Sequence, residues 1–425
     1  MAGVFLLIAG ALWLAFKIAE GYQRMSRRIY RRAEAQREEP RPPPTNVAPR
    51  LRALDPSFSE PVFLDWANLI FTRFHEARGT GDIDAIAPYL SEFAVKDLAR
   101  GPESGPVKEL HGLVIGSTRL EDVEDGELVL LDVVFRANWT AALKDGRDEA
   151  FWLEEQWTFA RRKGVSSRAP ENVERLGCPA CGSATERTSL GRCAHCGNST
   201  RPGDSDWMVQ RRRVREIERK PPLLTGTVEE VGTDLPTVKQ PNAQRRYLAL
   251  PEPARQHFDH RSAHIFQVLQ TGWSEGDLEL MRPLETDALF SQHRFWLEQY
   301  QKQGLSNRLQ NLRLGGIEIC KVDQDAYYDA ITCRMRASAI DVTVRPNDAR
   351  VVAGDPKRTR QWTEYWTYIR RRGAKDVASD VQCPSCTAPL KVTQAGVCAH
   401  CTTKLTRGDF DWVLSRIEQD EEYVG

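Results

Sequence analysis

The 425-residue chain has no net charge to offer a partner: 59 lysines and arginines stand against 59 aspartates and glutamates. Nothing in that balance suggests a polyanionic partner for the body of the protein. The chain also lacks a basic stretch ahead of its first apolar run and a small-residue cleavage motif behind it, so the run does not read as a removed secretory signal. Cysteine is scarce, with ten residues, yet eight of them fall in two short stretches.

Those stretches are CPACGSATERTSLGRCAHC (178–196) and CPSCTAPLKVTQAGVCAHC (383–401). Each is Cys-x2-Cys, eleven residues, then Cys-x2-Cys. A two-residue gap lets a tight turn aim both sulfurs at one point, and two such knuckles complete a tetrahedral thiolate cage suited to Zn²⁺. The expected ligands are Cys178, Cys181, Cys193 and Cys196 in the first box and Cys383, Cys386, Cys398 and Cys401 in the second. Four thiolates leave no open position, so each of the two expected zinc ions is structural rather than catalytic. A box this short buries no core, and the metal must supply the folding free energy, roughly 10–16 kcal/mol in isolated modules. The alternative is a pair of disulfides in an exported protein. His195 and His400, between the last two ligands of each box, read as spectators. Cys320 and Cys333 stand alone in strand-like stretches and read as small buried apolar residues.

The boxes belong to a larger repeat. Corresponding cysteines are 205 positions apart (383 − 178), and GDSDWMVQR (203–211) aligns with GDFDWVLSR (408–416) at the same offset. Upstream, EEQWTFARRKG (154–164) aligns with TEYWTYIRRRG (363–373), and FTRFHEARGTGDIDAIAPYL (71–90) with FQVLQTGWSEGDLELMRPLE (266–285). The unit is a duplicated domain of roughly 160 residues, an ordinary single-domain size. Within it, helices precede strands. Residues 60–78 place Val62, Phe63, Trp66, Leu69, Ile70 and Phe74 at helical spacing, with Ser59 as N-cap and Gly79-Thr80-Gly81 as the stop. Asp82 then caps a short helix over 82–90, and another follows near 91–100. Residues 126–143 and 151–162 alternate with period two, as strands joined by a turn. Phe151, Leu153, Glu155, Trp157 and Phe159 share one face, as do Trp362, Glu364, Trp366 and Tyr368 in the second copy. Each box interrupts the sheet before a closing strand. Helices followed by an antiparallel sheet define an α+β fold.

Residues 55–93 resemble the opening of the Tim44-like domain family, named for the tether of the mitochondrial import motor. The resemblance rests on Asp55-Pro56, Phe58, the aromatic helix, Gly81-Asp82 and Pro88-Tyr89-Leu90, supported by Trp157-Thr158-Phe159-Ala160-Arg161. The second copy keeps Gly276-Asp277, Pro283 and Trp366-Thr367-Tyr368-Ile369-Arg370, but lacks the Asp-Pro opening and has Glu285 in place of Leu90, so by motif it is the weaker match. The resemblance implies two cones, each a curved antiparallel sheet wrapped on helices like nuclear transport factor two, with an apolar pocket. It implies membrane-associated scaffolding or binding rather than a settled enzymatic activity. The inserted boxes depart from the mitochondrial pattern and look like those of a bacterial branch. The expected domains are an anchor over 1–20, a basic and proline-rich linker over 21–54, Tim44-like domains over 55–216 and 255–418 separated by a linker over 217–254, and an acidic tail over 419–425.

Residues 2–19, AGVFLLIAGALWLAFKIA, are just long enough for a spanning helix, with Lys17 placed to snorkel. Arg24, Arg27, Arg28, Arg31 and Arg32 follow, so the positive-inside rule leaves the body cytoplasmic on a single-pass anchor in the inner (plasma) membrane. The same arginines either attract anionic lipid, about 1 kcal/mol each, or only set topology.

The expected pocket residues are Trp66, Phe74, Trp139, Glu155, Trp157 and Phe159, with Glu364, Trp366 and Tyr368 in the second copy. They favour a non-enzymatic scaffold that binds an apolar ligand, lipid or protein segment, with protein translocation or membrane-complex assembly as the expected setting. Two alternatives stay open. A buried Glu155 or Glu364 with a raised pKa is a candidate general base, although each is equally able to pair with Arg161 or Arg370, and no partner acid repeats. Zinc ribbons also contact nucleic acid or ribosomes, but the boxes hold no aromatic residue and few charges, leaving only RRRVREIERK (211–220) in favour. His257, His260 and His264 lie on one helix face, where two of them form a further candidate metal site or a solvated surface.

Overall fold

Helix α1 (Val47–Leu54) opens the described course of the chain in what reads by sequence as linker. Val47, Ala48 and Leu51 are buried, and Pro49 is tolerated because the first turn of a helix leaves its N–H groups without intrahelical partners. The first core therefore starts at Val47 rather than at Asp55. The computed structural model describes residues 47–173, 176–183, 191–219, 235–374, 381–420 and 422–425. The expected anchor over 1–20 and Arg24, Arg27, Arg28, Arg31 and Arg32 lie outside the described residues, as does much of the linker over 217–254. Among the described residues no helix is long and apolar enough to cross a membrane.

The long aromatic helix α2 (Glu60–Thr80) has Ser59 at its N-cap without a side-chain capping bond, and ends at Gly81 with φ 77°. Residues 82–90 are not the expected α-helix. They form a turn and a 3-10 segment (Ala87–Tyr89), because Pro88 lacks the N–H that α-helical pairing needs. The helix expected near 91–100 is α3 (Glu92–Asp97), where the Ser91 hydroxyl accepts from Ala94 N at 3.1 Å. Strands β1 (Val107–Asp125), β2 (Leu128–Leu143) and β3 (Asp148–Arg162), a turn of helix α4 (Pro170–Val173) and β4 (Met208–Glu218) complete the first half. The second half runs α5 (Ala243–Leu248), α6 (Glu252–Glu275), α7 (Leu278–Met281), a 3-10 turn (Arg282–Leu284) and α8 (Asp287–Lys302). It continues with β5 (Ser306–Gln324), β6 (Tyr328–Arg345), β7 (Arg350–Gly354), β8 (Arg360–Arg371) and β9 (Val413–Gln419).

Each half carries its own antiparallel sheet, in order β1-β2-β3-β4 and β5-β6-β8-β9, with β7 paired to the end of β6. The parallel bridges Leu90–Val209 and Glu285–Leu414 tie the 3-10 turn to the last strand in the same place in both. Inward residues of β3 meet α2 edge-on, with Phe63–Phe159 centroids at 5.5 Å and Phe74–Trp157 at 5.1 Å. In the second half Phe258 meets Tyr368 at 5.5 Å and Phe266 meets Trp366 at 5.2 Å. The halves touch through Val62 against Tyr328 and Ile369, and through ion pairs Arg52–Asp323 (2.9 Å) and Arg371–Glu171 (2.6 Å).

The expected tail over 419–425 is instead docked: Asp420 pairs with buried Arg334 at 2.5 Å and Tyr423 stacks on Tyr365 at 3.8 Å. The expected linker over 217–254 likewise gives up its two ends, to β4 and to α5, whose Ala243 and Tyr247 enter the second core.

The Asp55-Pro56 opening has a structural role. Asp55 accepts from Arg161 Nη2 at 2.7 Å and from the Ser167 backbone and hydroxyl at 2.8 and 2.7 Å. Burial pushes its carboxyl up, but the Ser167 and Arg161 contacts outweigh it and hold the group below the ordinary carboxylate range. Asp55→Ala strands the buried Arg161 guanidinium and should cost about 3–5 kcal/mol in urea unfolding. An unchanged midpoint would show that the pair does not hold α2 to β3.

Candidate metal centres and an interhelical cleft

Both cysteine boxes close on themselves. In the first, Cys178–Cys196 and Cys181–Cys193 sulfurs are 3.8 and 3.9 Å apart, and in the second Cys383–Cys401 and Cys386–Cys398 repeat those distances. Four sulfurs roughly 2.3 Å from a tetrahedral metal stand about 3.8 Å from one another, so the donor sets fit such an ion. All four sulfurs of each set lie within 4.8 Å of one another. The local backbone explains how. In every knuckle the first cysteine's carbonyl accepts from the N–H four residues on, Gly182, Gly197, Thr387 or Thr402, at 2.8–2.9 Å. Closing that turn requires φ values of 72°, 71°, 60° and 58°. The second copy thus spends threonine where glycine is unstrained, at a cost of order 1 kcal/mol each. His195 and His400 are exposed and outside both donor sets.

Among the described residues these two sets are the clusters that offer three or more metal ligands, and the helical histidines are not among them. His257 Nε2 instead contacts Asp411 at 2.7 Å, and His260 and His264 are exposed. Cys320 and Cys333 are free and buried.

The expected pocket residues Phe74, Trp139, Glu155, Trp157, Phe159, Trp366 and Tyr368 are buried in filled cores, at most 2 % exposed. Glu155 is not a raised-pKa base paired with Arg161. Arg212 donates to its Oε1 at 2.6 Å, Trp157 Nε1 to its Oε2 at 2.7 Å, and His75 Nε2 lies 3.3 Å from Oε2. Burial pushes its pKa up, but His75, Arg212 and the Trp157 indole more than reverse this, to about 2. Burial pushes His75 down to about 4, so at neutral pH it is uncharged and Arg212 is the counter-ion. With Nε2–H aimed at Glu155, His75 Nδ1 is left to accept from Arg78 at 3.5 Å, and Arg78 in turn pairs with Glu103 at 2.5 Å. The alternating sequence of β3 marked Glu155 as inward, but gave no sign of its partners, which come from α2 and β4. Glu364 is only half-buried and bonds Trp366 Nε1 at 3.0 Å and Gln419 at 2.9 Å, because Ile417 occupies Arg212's place opposite the tryptophan. Arg370 does not pair with Glu364; it donates to Ala374 O at 2.5 Å. The basic run of β4 is also partly spent internally, on Glu155 and, through Arg215, on Glu121.

Open space lies between the halves. A cleft of about 660 Å³ runs between α2 and α8, over β1. Val62, Trp66 and Leu69 form one wall, Ala288 and Phe295 the other, and Leu113 and Ile115 the floor. Of the expected pocket residues, Trp66 lines it. β1 bulges at Gly112, whose φ of 63° opens space that Phe295 fills; a Cβ there would sit 2.8 Å from the ring. Rim charges pair within their own helices, Arg73 with Glu76 at 3.0 Å and Arg294 with Glu298 at 3.8 Å.

Fold and sites together define an α+β protein with two closed thiolate sets. Residues 254–378 match the family model described as the Tim44-like domain. In general terms that family points to membrane-associated scaffolding in protein translocation rather than catalysis. The match falls on the second half, correcting the ranking drawn from short motifs, in which Asp55-Pro56 counted for more than the pattern of the whole sheet. It stops short of Cys383, so the second metal centre lies outside the matched stretch. No curated protein matches the chain.

His75 and Glu155 predict acid lability. Their ordinary values, 6.5 and 4.5, fall to about 4 and about 2 on folding. Both depressed groups contribute stability that is present above the unfolded value and lost as pH falls through the folded one. Stability should therefore decline between about 6.5 and 4 and again between about 4.5 and 2. In urea titrations at pH 7 and pH 5, His75→Gln should show a smaller drop than the parent; equal drops would remove His75 as the cause.

Proposed function

We propose that this chain is a membrane-anchored, non-enzymatic scaffold whose cleft between α2 and α8 binds an apolar protein segment at the cytoplasmic face of the inner membrane. The observation that carries the reading is the 660 Å³ groove itself, walled by two helices in a chain whose residues 254–378 match the Tim44-like domain family. Its size suits one or two turns of an amphipathic helix, the helix-in-groove mode of recognition. Arg73 and Arg294 at the rim are paired within their own helices and Asp287 and Arg407 with the second box and its neighbouring loop, so apolar burial is the main source of affinity in this reading. The expected anchor over 1–20 and the arginines Arg24–Arg32 supply membrane attachment in this reading. Each half is taken as a cone like nuclear transport factor two, its aromatic interior filled rather than open. Zinc occupies both thiolate sets, as the donor chemistry favours.

Two measurements test this. Elemental analysis of purified protein should give about two zinc ions per chain; a metal-free, disulfide-bonded preparation overturns the ribbon reading. Native mass spectrometry of detergent-extracted protein should find a bound peptide or protein that Leu69→Glu weakens at least tenfold. An adduct retained by the folded variant, or a lipid alone, overturns the cleft assignment.

A further inference from the structure

The two cysteine boxes match in sequence, but among the described residues they differ in what they hold. In the second, the hairpin turn between the knuckles presses on the start of α8. Arg282, 2 % exposed, donates from Nε to Gln394 O at 3.0 Å within that turn, and from Nη2 to Asp287, the first residue of α8. Asp287 also accepts from Thr406 Oγ1 at 2.9 Å and from Lys404, whose ammonium reaches back to Ala395 O at 2.7 Å. Gly396 is wedged there: a Cβ would lie under 3 Å from Thr406, Arg282 and Asp287. Its counterpart Gly191, 205 positions earlier, has nothing within 4 Å. The shared 3-10 turn and its bridge to the last strand align Arg282 with Ala87, so the first half lacks the cation that makes the clasp.

We propose that the second metal centre fixes the position of α8 and thereby sets the width of the cleft, making metal occupancy a regulator of binding there. The lever is short and stiff. Eight residues separate Asp287 from Phe295, about 12 Å along a helix. Phe295 is the side chain seated over the Gly112 bulge at the cleft. Thr406 and Arg407, just beyond the second box, line the cleft themselves. Without metal the box keeps only a small cluster of Cys383, Cys398 and Leu405, two of them the ligands themselves, which is too little to hold it folded. Gln394 O, Ala395 O, Lys404 and Thr406 are then lost to the clasp together, leaving Arg282 with Asp287, Glu285 O and the Phe290 ring. Rigid elements joined by such contacts transmit coupling when both ends have discrete arrangements. The first box has no equivalent grip on α2 among the described residues.

The regulatory consequence rests on the binding reading above, but the linkage itself is tested without any cleft ligand. Hydrogen exchange of the full chain is followed at the amides of α8 and α2 in zinc. Cys398→Ser/Cys401→Ser should speed exchange in α8 at least tenfold and leave α2 unchanged. Cys193→Ser/Cys196→Ser should leave α8 as in the parent. Asp287→Asn should loosen α8 while two zinc ions remain bound, an arm that still decides the matter if the double cysteine variant unfolds globally. The proposal is overturned if α8 keeps parental protection in Asp287→Asn, or if losing the first centre loosens α8 as much as losing the second.

Discussion

Everything in this protein waits on the return of the last strand of each sheet. β4 reaches β3 only after the excursion of residues 163–207, and β9 reaches β8 only after residues 372–412. Closing a loop of that length is not the main difficulty, since each doubling of loop length costs only about 0.6 kcal/mol. Ordering the loop is: each residue fixed costs about 1–2 kcal/mol, and the second box has only the small cluster of Cys383, Cys398 and Leu405 to set against it. A metal held by the thiolates would offset part of that cost, roughly 10–16 kcal/mol in isolated modules. Once the knuckles close, Trp207 and Trp412 are delivered to the helices, Trp207 against Phe63 at 5.5 Å and Trp412 against Phe258 at 5.0 Å. The metal centres and the aromatic cores are thus parts of one construction.

Within that shared frame the halves have been put to different uses. Both keep a glutamate two residues before a tryptophan on the third core strand and bond it to the indole N–H. Only the first surrounds the carboxylate with His75 and Arg212, burying an ion pair that a bare core would penalise. The second instead places Ile417 there and moves its charge chemistry to the clasp of Arg282 and Asp287. Buried charge sits in each half where an element has to be held at a defined place: β4 against α3 in one, where Arg212 also reaches Asp97 O at 3.2 Å, and α8 against the box in the other.

How much was legible in the sequence follows the kind of signal each element carries. The boxes were plain, because metal geometry fixes ligand spacing whatever the intervening residues. β2 and β3 were plain too, since strict alternation on a half-buried sheet leaves a period of two. β1 was invisible as a strand: VKELHGLVIGSTRLEDVED carries three or more exposed charges, and its register slips repeatedly, breaking the period. Proline and polar content made α1 look like linker, and acidic residues made the tail look free. In both cases a few buried side chains, Val47 and Leu51 or Asp420 and Tyr423, decide the outcome, and composition averages them away. Partners of Glu155 were out of reach for another reason, since His75 and Arg212 are 80 and 57 positions away in sequence.

The cleft was the hardest feature to foresee, because it belongs to neither copy. Aromatic residues on an inward face suggest a pocket as readily as a core, and sequence alone does not say whether opposing side chains meet. Here they do: Phe71 stacks on Phe135 at 4.6 Å and packs against Trp157 at 5.1 Å, so the interior of the first half is filled by its own rings. Duplication supplies the space that each core has closed. Two copies joined in one chain present a helix each to the junction, and where these fail to interdigitate a groove remains, with Phe295 seated over the bulge at Gly112 and the second cysteine box against the start of α8. A groove made this way takes its walls from both cores, and under the proposed linkage its width depends on a contact at the rim, where Gly396 is wedged against Thr406, Arg282 and Asp287 while a Cβ at Gly191 would meet nothing within 4 Å.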